Sequence, residues 1–482
     1  MNVSKDKYEA VIGLEVHAQL KTNTKAYSND ENIYGAKPNS KTSVVTLGHP
    51  GTLPVSNEKV IECAVKLGIA VNANIRERNE YARKNYFYAD LPKGYQITQD
   101  KTPICSGGFI QIFDEDDVEK QIKITRIHME EDAGKSIHDL DPFNSLVDLN
   151  RAGVPLLEIV SEPEIRSSNE AYQYLSEIRK LVRYLDICDG NMEEGSLRCD
   201  ANISVRLKGD KKFGTKVEVK NMNSIRNVKN AIEFEINRQI NLLEKGENII
   251  HETRGYNAVN GETQSQRHKE EANDYRYFPE PDLQPVIVKQ EYISAIKNTL
   301  PLLPNQLLKK FTEEFKLSKY DAKIIIEDKN TALYYNELCN YTTNYKAAAN
   351  IMNGVIKSYL NENAKSIDDF NVSPKNIAEL ISLIDQNKIS NSVATSKIFP
   401  ILINTQKSPE KIAIENNWIQ ESDSDTLLIL IDQVINKYPE KVHEYKSGKK
   451  GLLGLFVGEV MKLSKGKADP KLTNQLIRNK LD

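Results

Sequence analysis

The sequence predicts an α+β protein with an N-terminal domain built on a largely antiparallel sheet plus helices, followed by an all-α domain and a small all-α tail. Before residue 290, short segments of alternating polar and apolar residues recur between turns of Gly, Pro, Asn and Asp. After the proline-marked stretch 279–304, helical periodicity replaces the alternation and breaks again around 390–408. The 482 residues also exceed what one core usually supports. We therefore predict domains at 1–293, 294–405 and 406–482.

The composition argues against several classes of protein. Lys and Arg number 65 and Asp and Glu number 68, so the net charge of -3 does not indicate nucleic-acid binding by the chain as a whole. The five cysteines are scattered without a C-x-x-C pair, which argues against a disulfide framework and a cysteine zinc site. The N-terminal residues are polar, and no apolar run approaches the roughly 18 residues that span a bilayer. We expect a soluble, cytoplasmic protein without a membrane partner.

The first predicted strand, 11–20, alternates almost completely between polar and apolar residues. Ile12 and Leu14 fall on one face of such a strand, and Glu15 and His17 fall on the other. A buried sheet face would not normally carry Glu and His two residues apart. The segment alone leaves two interpretations open: a strand that presents metal ligands, and a half-exposed surface strand.

The elements that follow are predicted from the same kinds of pattern. Alternation predicts strands at 108–112, 197–206 and 215–220. Ser167, followed three residues later by Glu170, is a capping-box pattern that indicates the start of a helix. A second helix is predicted over 224–243.

Acidic residues cluster where a strand-like segment meets a glycine turn. Glu130, Glu131 and Asp132 are consecutive, and like charges held this close repel one another unless a cation lies between them. With Glu15 and His17 they supply many oxygen ligands and one imidazole, a combination that suits Mg²⁺ better than zinc. The sequence therefore predicts a site for a divalent cation.

Basic residues alternate onto one face of two predicted strands. Arg198 and Asp200 share a face of one strand, and Lys216 and Lys220 share a face of the next. Guanidinium and ammonium groups are the side chains that bind phosphate oxygens in proteins. These residues therefore predict contacts with phosphate oxygens.

The C-terminal tail is basic. Residues 441–482 contain ten Lys or Arg and four Asp or Glu, a local balance of +6. Contact with a phosphate backbone and an ordinary solvated helix face both account for this composition.

The most specific signal is a series of long strings in one order along the chain. They are IGLEVHAQL, RKNYFYADLPKGYQITQ, RIHMEEDAGKS, LVDLNRAGVPLLEIVSEPEI, MEEGSLRCDANISVR, KVEVKNMNS, DYRYFPEPDL and, in the tail, LLGLFVGEVMKLSKGKADPKLTNQLI. These strings closely resemble the GatB/GatE family, the B subunits of aspartyl/glutamyl-tRNA amidotransferases. The tail string resembles the YqeY-like end of that family.

The resemblance implies a cradle-shaped kinase domain, a helical domain and a YqeY-like, tRNA-binding tail. It also implies a heterotrimer with an amidase (A) subunit plus a small (C) subunit. Family members use ATP and Mg²⁺ to phosphorylate the side-chain carboxylate of Glu or Asp mischarged on tRNA(Gln) or tRNA(Asn). Ammonia from the amidase then displaces the phosphate and leaves the amide. The sequence leaves open which of the two mischarged tRNAs is the substrate.

Matching motifs carry the family's site residues onto this chain. The implied Mg²⁺ ligands are Glu15, His17, Glu130, Glu131 and Glu158. The implied ATP or acyl-phosphate contacts are Lys84, Arg198, Lys216 and Lys220. The residues assigned to catalysis are Glu15, His17, Glu131, Arg198 and Asp200. His128 is left open between a partner of the metal ligands and a structural residue.

One departure from the family concerns zinc. Many members carry paired cysteines in the region corresponding to residues 27–50, where they hold a structural zinc, but this chain has no cysteine there. We therefore do not expect zinc and expect packing to stabilise this loop.

Two other functions stay open from the sequence. In a non-catalytic tRNA-binding adaptor, the acidic sheet face is merely solvated, and Glu15→Gln or Glu131→Gln leaves amidation intact. A stand-alone metal-dependent hydrolase is less attractive, because the sequence offers no hydrolase nucleophile.

Overall fold

The computed structural model describes residues 5–114, 118–138, 140–268, 275–405, 407–420, 424–464 and 467–481. The chain divides into two compact units, Met1–Leu303 and Pro304–Asp482. The predicted α+β class is confirmed, because the first unit is rich in sheet and the second is helical. The predicted domain boundary after residue 293 falls inside a helix that belongs to the first unit.

The first unit contains all the strands of the described residues. They are β1 (Tyr8–Gln19), β2 (Asn74–Ile75), β3 (Arg78–Asn79), β4 (Ala82–Asn85), β5 (Tyr95–Thr98), β6 (Cys105–Ser106), β7 (Phe109–Phe113), β8 (Glu119–Glu131), β9 (Lys135–Ile137), β10 (Leu146–Asp148), β11 (Pro155–Ser161), β12 (Leu197–Leu207), β13 (Val217–Lys220), β14 (Glu252–Asn257), β15 (Glu262–His268), β16 (Arg276–Pro279) and β17 (Val286–Ile287). Its helices are α1 (Glu58–Ala70), α2 (Ser168–Tyr184), α3 (Ile225–Glu244) and α4 (Gln290–Thr299).

A ten-stranded sheet organises the first unit. Its order is β15-β14-β13-β12-β1-β11-β8-β6-β2, and β7 pairs with β8. Neighbouring strands run antiparallel except β13 and β14, which are parallel. The smaller sheets are β10-β9, β16-β4-β5 and β17-β3. The prediction of a largely antiparallel sheet is therefore confirmed.

The core of the first unit lies between one face of this sheet and the helices. Ile12, Leu14 and Val16 of β1 are buried in the apolar core with residues of α2, while Glu15 and His17 on the other face are partly exposed. Period-two alternation thus produces one apolar face under helices and one polar face. The polar face of the central strands is the floor of the site described below.

Side-chain caps begin the two long helices where the sequence predicted. The Ser167 hydroxyl accepts a hydrogen bond from the Glu170 backbone N–H (3.1 Å), and the Ser224 hydroxyl accepts one from the Asn227 N–H (3.1 Å). The reciprocal bond of the capping box is shifted by one residue, because the Glu170 carboxylate accepts from the Arg166 N–H (2.8 Å).

The second unit is helical throughout its described residues. Its helices are α5 (Pro304–Lys309), α6 (Lys319–Ile325), α7 (Lys329–Leu338), α8 (Tyr345–Ile351), α9 (Lys357–Glu362), α10 (Pro374–Asp385), α11 (Asn391–Val393), α12 (Phe399–Ile403), α13 (Pro409–Glu415), α14 (Ser424–Lys437), α15 (Pro439–Lys446), α16 (Leu453–Leu463) and α17 (Pro470–Leu481). π-helical turns occur at Lys310–Glu314, Met352–Ile356 and Ala394–Ile398.

The last helices of the chain, including those of the basic tail, share a small core. Leu427, Phe456 and Ile477 bring α14, α16 and α17 together. Lys462, one of the tail's basic residues, pairs with Glu459 at 2.9 Å, and Lys465 lies outside the described residues. None of the helices in the described ranges has the length and apolar character that a membrane crossing requires.

Candidate active site

The register of four central strands brings the predicted ligands together. Opposite His17 on β1 lie Arg198 of β12 on one side and Glu158 of β11 on the other. Glu158 in turn lies opposite His128 of β8. Directly opposed side chains on one sheet face are close neighbours. The chain therefore builds a row of ionisable groups from strands that are distant in sequence.

The first carboxylate–imidazole group lies at the β8 end of this row. His128 Nε2 is 3.2 Å from Glu130 Oε2 and 3.5 Å from Glu158 Oε2. All three residues are buried, and they offer ligand atoms within 4.8 Å of one another. Nδ1 of His128 has no hydrogen-bond partner among the described residues. Buried carboxylates this close to each other need a cation or a shared proton.

The second group lies beside the first and is more open. It consists of Glu15, His17 and Asp200, whose ligand atoms also lie within 4.8 Å of one another. Asp200 is directly opposite Glu15 across the β1–β12 pair. His17 Nε2 is 3.6 Å from Glu15 Oε1 and 3.3 Å from Glu158 Oε2, so it connects the two groups.

The pKa shifts follow from this crowding. Burial and the nearby charge of Glu158 raise the pKa of Glu15. Burial by itself lowers the pKa of His17, but the hydrogen bond to Glu158 and the two carboxylate charges outweigh it and raise that pKa. Burial opposes ionisation of Glu158, yet His128, His17 and Lys84 hold its pKa well below the ordinary range. Perturbed carboxylates and imidazoles in one cleft are typical of functional sites.

Lys84, Lys220 and Arg198 are three of the basic side chains beside the two groups, and Arg126 Nη2 also lies 3.7 Å from Glu158 Oε1. Lys220 of β13 forms a short ion pair with Asp200, and Lys84 Nζ is 3.8 Å from Glu130 Oε1. Lys84 Nζ also lies 5.0 Å from the centre of the Tyr275 ring. The opposing charges outweigh burial and raise the pKa of both lysines, so both stay charged.

Arg198 is held by a buried aspartate. Asp132 Oδ2 accepts hydrogen bonds from Arg198 Nη2 and from Gln19 Nε2, both at 2.6 Å. Burial opposes ionisation of Asp132, but the Arg198 and Arg151 charges and these hydrogen bonds lower its pKa. Asp132 therefore fixes the position of the Arg198 guanidinium at the cavity wall.

These groups line a cavity of about 990 Å³. The same cavity is also lined by amide side chains, by a glycine and by a tyrosine: Asn221, Asn223, Asn257, Gln264, Gln266, Gly255 and Tyr256. A side chain at Gly255 would lie 2.3 Å from Gln266 Nε2, so glycine permits the close packing of this wall. The cavity is large enough for a ligand much larger than a metal ion.

The structure corrects the placement of Glu131. The sequence grouped it with the metal ligands, but neighbouring residues of a strand point to opposite faces, and Glu131 lies on the face opposite Glu130. There it forms a short ion pair with Lys93 and accepts the Ile97 backbone N–H at 2.8 Å. It lines a separate cavity of about 100 Å³.

Lys216 also lies apart from the other predicted phosphate contacts. It precedes β13, is exposed, and is outside the residues that line the large cavity. The strand predicted over 215–220 begins only at Val217, so the alternation that grouped Lys216 with Lys220 was extended beyond the start of the strand.

Residues 10–294 match the GatB/GatE catalytic domain, and residues 333–481 match the GatB domain. The chain belongs to the GatB/GatE family. The family resemblance inferred from the sequence is thereby confirmed.

Several curated proteins named as the B subunit of aspartyl/glutamyl-tRNA(Asn/Gln) amidotransferase are similar to this GatB/GatE chain over nearly its whole length. The protein of Rickettsia rickettsii (strain Iowa) is 48% identical over 475 residues, which is 98% of this chain and 98% of that protein. The protein of Thermodesulfovibrio yellowstonii (strain ATCC 51303 / DSM 11347 / YP87) is 48% identical over 471 residues, again 98% of each chain. The protein of Syntrophotalea carbinolica (strain DSM 2380 / NBRC 103641 / GraBd1) is 48% identical over 475 residues, 98% of this chain and 99% of its own.

Sequence reasoning on this GatB/GatE chain missed some residues of the site. The alternation of the first strand placed Gln19 on the same face as Glu15 and His17, but the sequence assigned it no role in the site. The same rule applied to β8 separates Glu131 from His128 and Glu130. Arg151 and the amide residues of the cavity carry no local signal, because loops and edge strands bring them to it.

Proposed function

We propose that this chain is the B subunit of a tRNA-dependent amidotransferase and carries its ATP-dependent step. The side-chain carboxylate of Glu-tRNA(Gln), Asp-tRNA(Asn) or both is phosphorylated, and ammonia then replaces the phosphate. The observation that carries this proposal is the juxtaposition of two carboxylate–imidazole groups with Lys84, Arg198 and Lys220 in one cavity. Acidic metal ligands beside cationic side chains are what phosphoryl transfer requires.

The residues fit Mg²⁺ better than a softer metal. Four of the six potential ligands in the two groups are carboxylates: Glu15, Glu130, Glu158 and Asp200. Carboxylate oxygens suit Mg²⁺, and thiolates are absent from both groups. When bound, the cation would neutralise phosphate oxygens and act as a Lewis acid. Glu158 would contribute to both groups, because it approaches both imidazoles.

The basic residues would hold the phosphates and the transferring group. Lys220 and Lys84 stay charged beside their acidic partners, and Arg198 is oriented by Asp132. Their positive charges face the same cavity as the acidic groups. ATP γ-phosphate would bind between them, with the nucleoside elsewhere in the same cavity.

The chemistry explains why ATP is needed. Ammonia cannot displace oxide from a carboxylate, so a carboxylate oxygen first attacks the γ-phosphorus and ADP leaves. Ammonia then attacks the acyl carbon, inorganic phosphate leaves, and the nitrogen loses a proton. We propose that the ammonia comes from the partner amidase, in a cytoplasmic heterotrimer that is completed by the small third protein. The basic tail and the helical unit would bind the tRNA.

Reconstitution of the assembled complex tests the proposal. The complex is given ATP, Mg²⁺ and Glu-tRNA(Gln), with ammonium chloride in place of glutamine so that the amidase step is bypassed. Phosphate release and Gln-tRNA(Gln) formation are measured for the natural chain, for Glu15→Gln and for Glu9→Gln. Glu9 is the matched control, because it lies on the same strand but pairs with Arg206 outside the cavity.

We expect Glu15→Gln to lose at least about 100-fold in both measurements while tRNA affinity is kept. Glu9→Gln is expected to retain activity. Full activity of Glu15→Gln, or activity that persists without any divalent cation, would overturn the proposal and favour the tRNA-binding adaptor.

A further inference from the structure

The segment between β1 and α1 does not fit the structural zinc that the family resemblance implies. Residues 27–50 contain no cysteine. Structural zinc sites are built from Cys and His with four tetrahedral ligands. Here the side chains that meet are Ser28, Asp30, Ser43 and Thr46, which offer hydroxyls and one carboxylate. Such a set is unsuited to zinc.

These four residues form a compact hydrogen-bonded group, the Asp30 cluster. A single carboxylate oxygen, Asp30 Oδ2, accepts the Ser28 hydroxyl (3.0 Å), the Ser43 backbone N–H (2.9 Å) and the Ser43 hydroxyl (3.0 Å). It also accepts a short hydrogen bond from the Thr46 hydroxyl. The Ser28 and Thr46 hydroxyls are 3.2 Å apart. The donors therefore surround one oxygen atom from several sides.

We propose that the hydrogen bonds of the Asp30 cluster stabilise this segment in place of a structural zinc ion. Its carboxylate oxygen is the centre, and the surrounding hydroxyls and the Ser43 backbone N–H converge on it as hydrogen-bond donors. The bonds join residues 28–30 to residues 43–46, two parts of the segment that share no strand or helix. Charge-assisted hydrogen bonds are roughly twice as strong as neutral ones, so several of them on one oxygen close the loop effectively.

The cluster also shapes a wall of the protein interior. Ser28 and Thr46 line the small cavity that contains Glu131 and Lys93. Gly153, at the same cavity, would place a side chain 3.7 Å from the Thr46 hydroxyl. The hydroxyls of Ser28 and Thr46 are thus fixed by Asp30 on one side and packed against the end of the sheet on the other. Loss of the cluster should loosen this wall as well as the loop.

The test compares hydrogen exchange in the full-length chain and in variants of the cluster. Asp30→Asn removes the charged centre, and we expect amides in residues 28–46 to exchange about tenfold faster. Glu31→Gln is the matched control, because its carboxylate is largely exposed and pairs only with Lys41 among the described residues. Should Asp30→Asn fail to fold, Thr46→Val removes one donor at nearly constant volume and should give a smaller increase in the same segment.

A second experiment tests the equivalence with a metal site. The combined variant Ser28→Cys, Asp30→Cys, Ser43→Cys and Thr46→Cys places four thiols where the hydroxyls and carboxylate meet. It should bind zinc stoichiometrically by elemental analysis, and zinc should restore the slow exchange of residues 28–46. The natural chain should contain no zinc, and its exchange should not change on treatment with a zinc chelator. The proposal would be overturned if the natural chain contained zinc. It would also be overturned if exchange were unchanged in both Asp30→Asn and Thr46→Val, or if the four-cysteine variant failed to bind zinc.

Discussion

The acidic residues on the cavity face of the central sheet have different partners from the acidic residues that lie away from the cavity. On the cavity face, Glu15, Glu158 and Glu130 crowd around two histidines. On the opposite face, Glu131 is matched by Lys93 and a backbone N–H, and in the loop after β1 Asp30 is surrounded by donors. Glu131 and Asp30 each accept a backbone N–H as well as side-chain donors, whereas the cavity-face carboxylates have only side-chain partners among the described residues.

This difference distinguishes carboxylates that are available to a ligand from carboxylates that stabilise the fold. A buried carboxylate that accepts several hydrogen bonds from the folded protein needs no ligand to compensate for its burial. The cavity-face carboxylates instead face titratable imidazoles and lysines that line the same cavity, so a bound cation or phosphate can compete for these partners. We therefore infer ligand binding at this face, and the variants below test that inference from the largest expected effect to the smallest.

The largest effect is expected for Glu158→Gln. Glu158 Oε2 lies 3.3 Å from His17 Nε2 and 3.5 Å from His128 Nε2, so its charge serves both carboxylate–imidazole groups. The amide keeps the shape but not the charge, and we expect at least about a 1000-fold loss of ATP hydrolysis and amide formation by the assembled complex. The matched control is Glu162→Gln, whose carboxylate accepts the Thr125 hydroxyl at 2.9 Å outside the cavity. Activity within tenfold of the natural complex would contradict the assignment.

A moderate effect is expected for Asp132→Asn. The loss of charge weakens the 2.6 Å hydrogen bond that holds Arg198, so the guanidinium is no longer fixed at the cavity wall. Removal of such supporting partners typically costs about 10- to 100-fold, and we expect the loss mainly in kcat. Steady-state kinetics of the complex with ATP as the varied substrate measure it. If Arg198→Lys and Asp132→Asn each lower kcat and the double variant is no worse than the single ones, the two residues act as a unit. Fully additive effects would show that Asp132 does not act through Arg198.

The sequence predicted the cavity face well because alternation is a local property. Glu15 and His17 are two residues apart on β1, and Arg198 and Asp200 repeat that spacing on β12, so each strand's contribution is visible in its own segment. Which strands become neighbours is a non-local outcome, and only the family resemblance linked Glu158 to the site in advance. The Asp30 cluster was not predicted, because hydroxyls in a loop carry no periodic signal; the sequence led us to expect packing there instead.

Glu131→Gln sharpens the comparison because Glu131 is adjacent to Glu130 in sequence but lies on the other face. The variant leaves the Lys93 ammonium without its charged partner in a mostly buried position, and breaking such a pair costs about 3 kcal/mol. We expect lower stability in urea unfolding and unchanged Mn²⁺ affinity in a direct titration of the folded chain. Glu158→Gln, by contrast, should weaken Mn²⁺ binding. A similar loss of Mn²⁺ affinity in both variants would restore Glu131 to the metal ligands and remove the distinction between the faces.

The smallest effect concerns Lys25, a buried lysine near Asp30 and Glu131. Its ammonium donates to the Lys41 carbonyl at 2.7 Å. Burial lowers the pKa of Lys25 to about 8, although the Asp30 and Glu131 charges oppose that fall. An unfolded lysine keeps its proton until about pH 10.5. Between these pH values the unfolded chain binds more protons than the folded chain, so the free energy of unfolding rises with pH. Below about pH 8, Lys25 is protonated in both states and contributes no pH dependence.

Lys25→Met removes the titration and should remove that slope. The expected difference in the free energy of unfolding, natural chain minus variant, grows by about 1 kcal/mol from pH 8 to pH 10 after solvent screening is allowed for. Urea unfolding at several pH values measures it, and Lys41→Met is the control, because the Lys41 side chain is partly exposed and pairs with Glu31. Parallel slopes for the natural chain and Lys25→Met would mean that Lys25 keeps its proton in the folded state. The surroundings of Glu131 and Asp30 would then be more polar than their geometry implies. The difference between these carboxylates and those of the cavity face would be smaller.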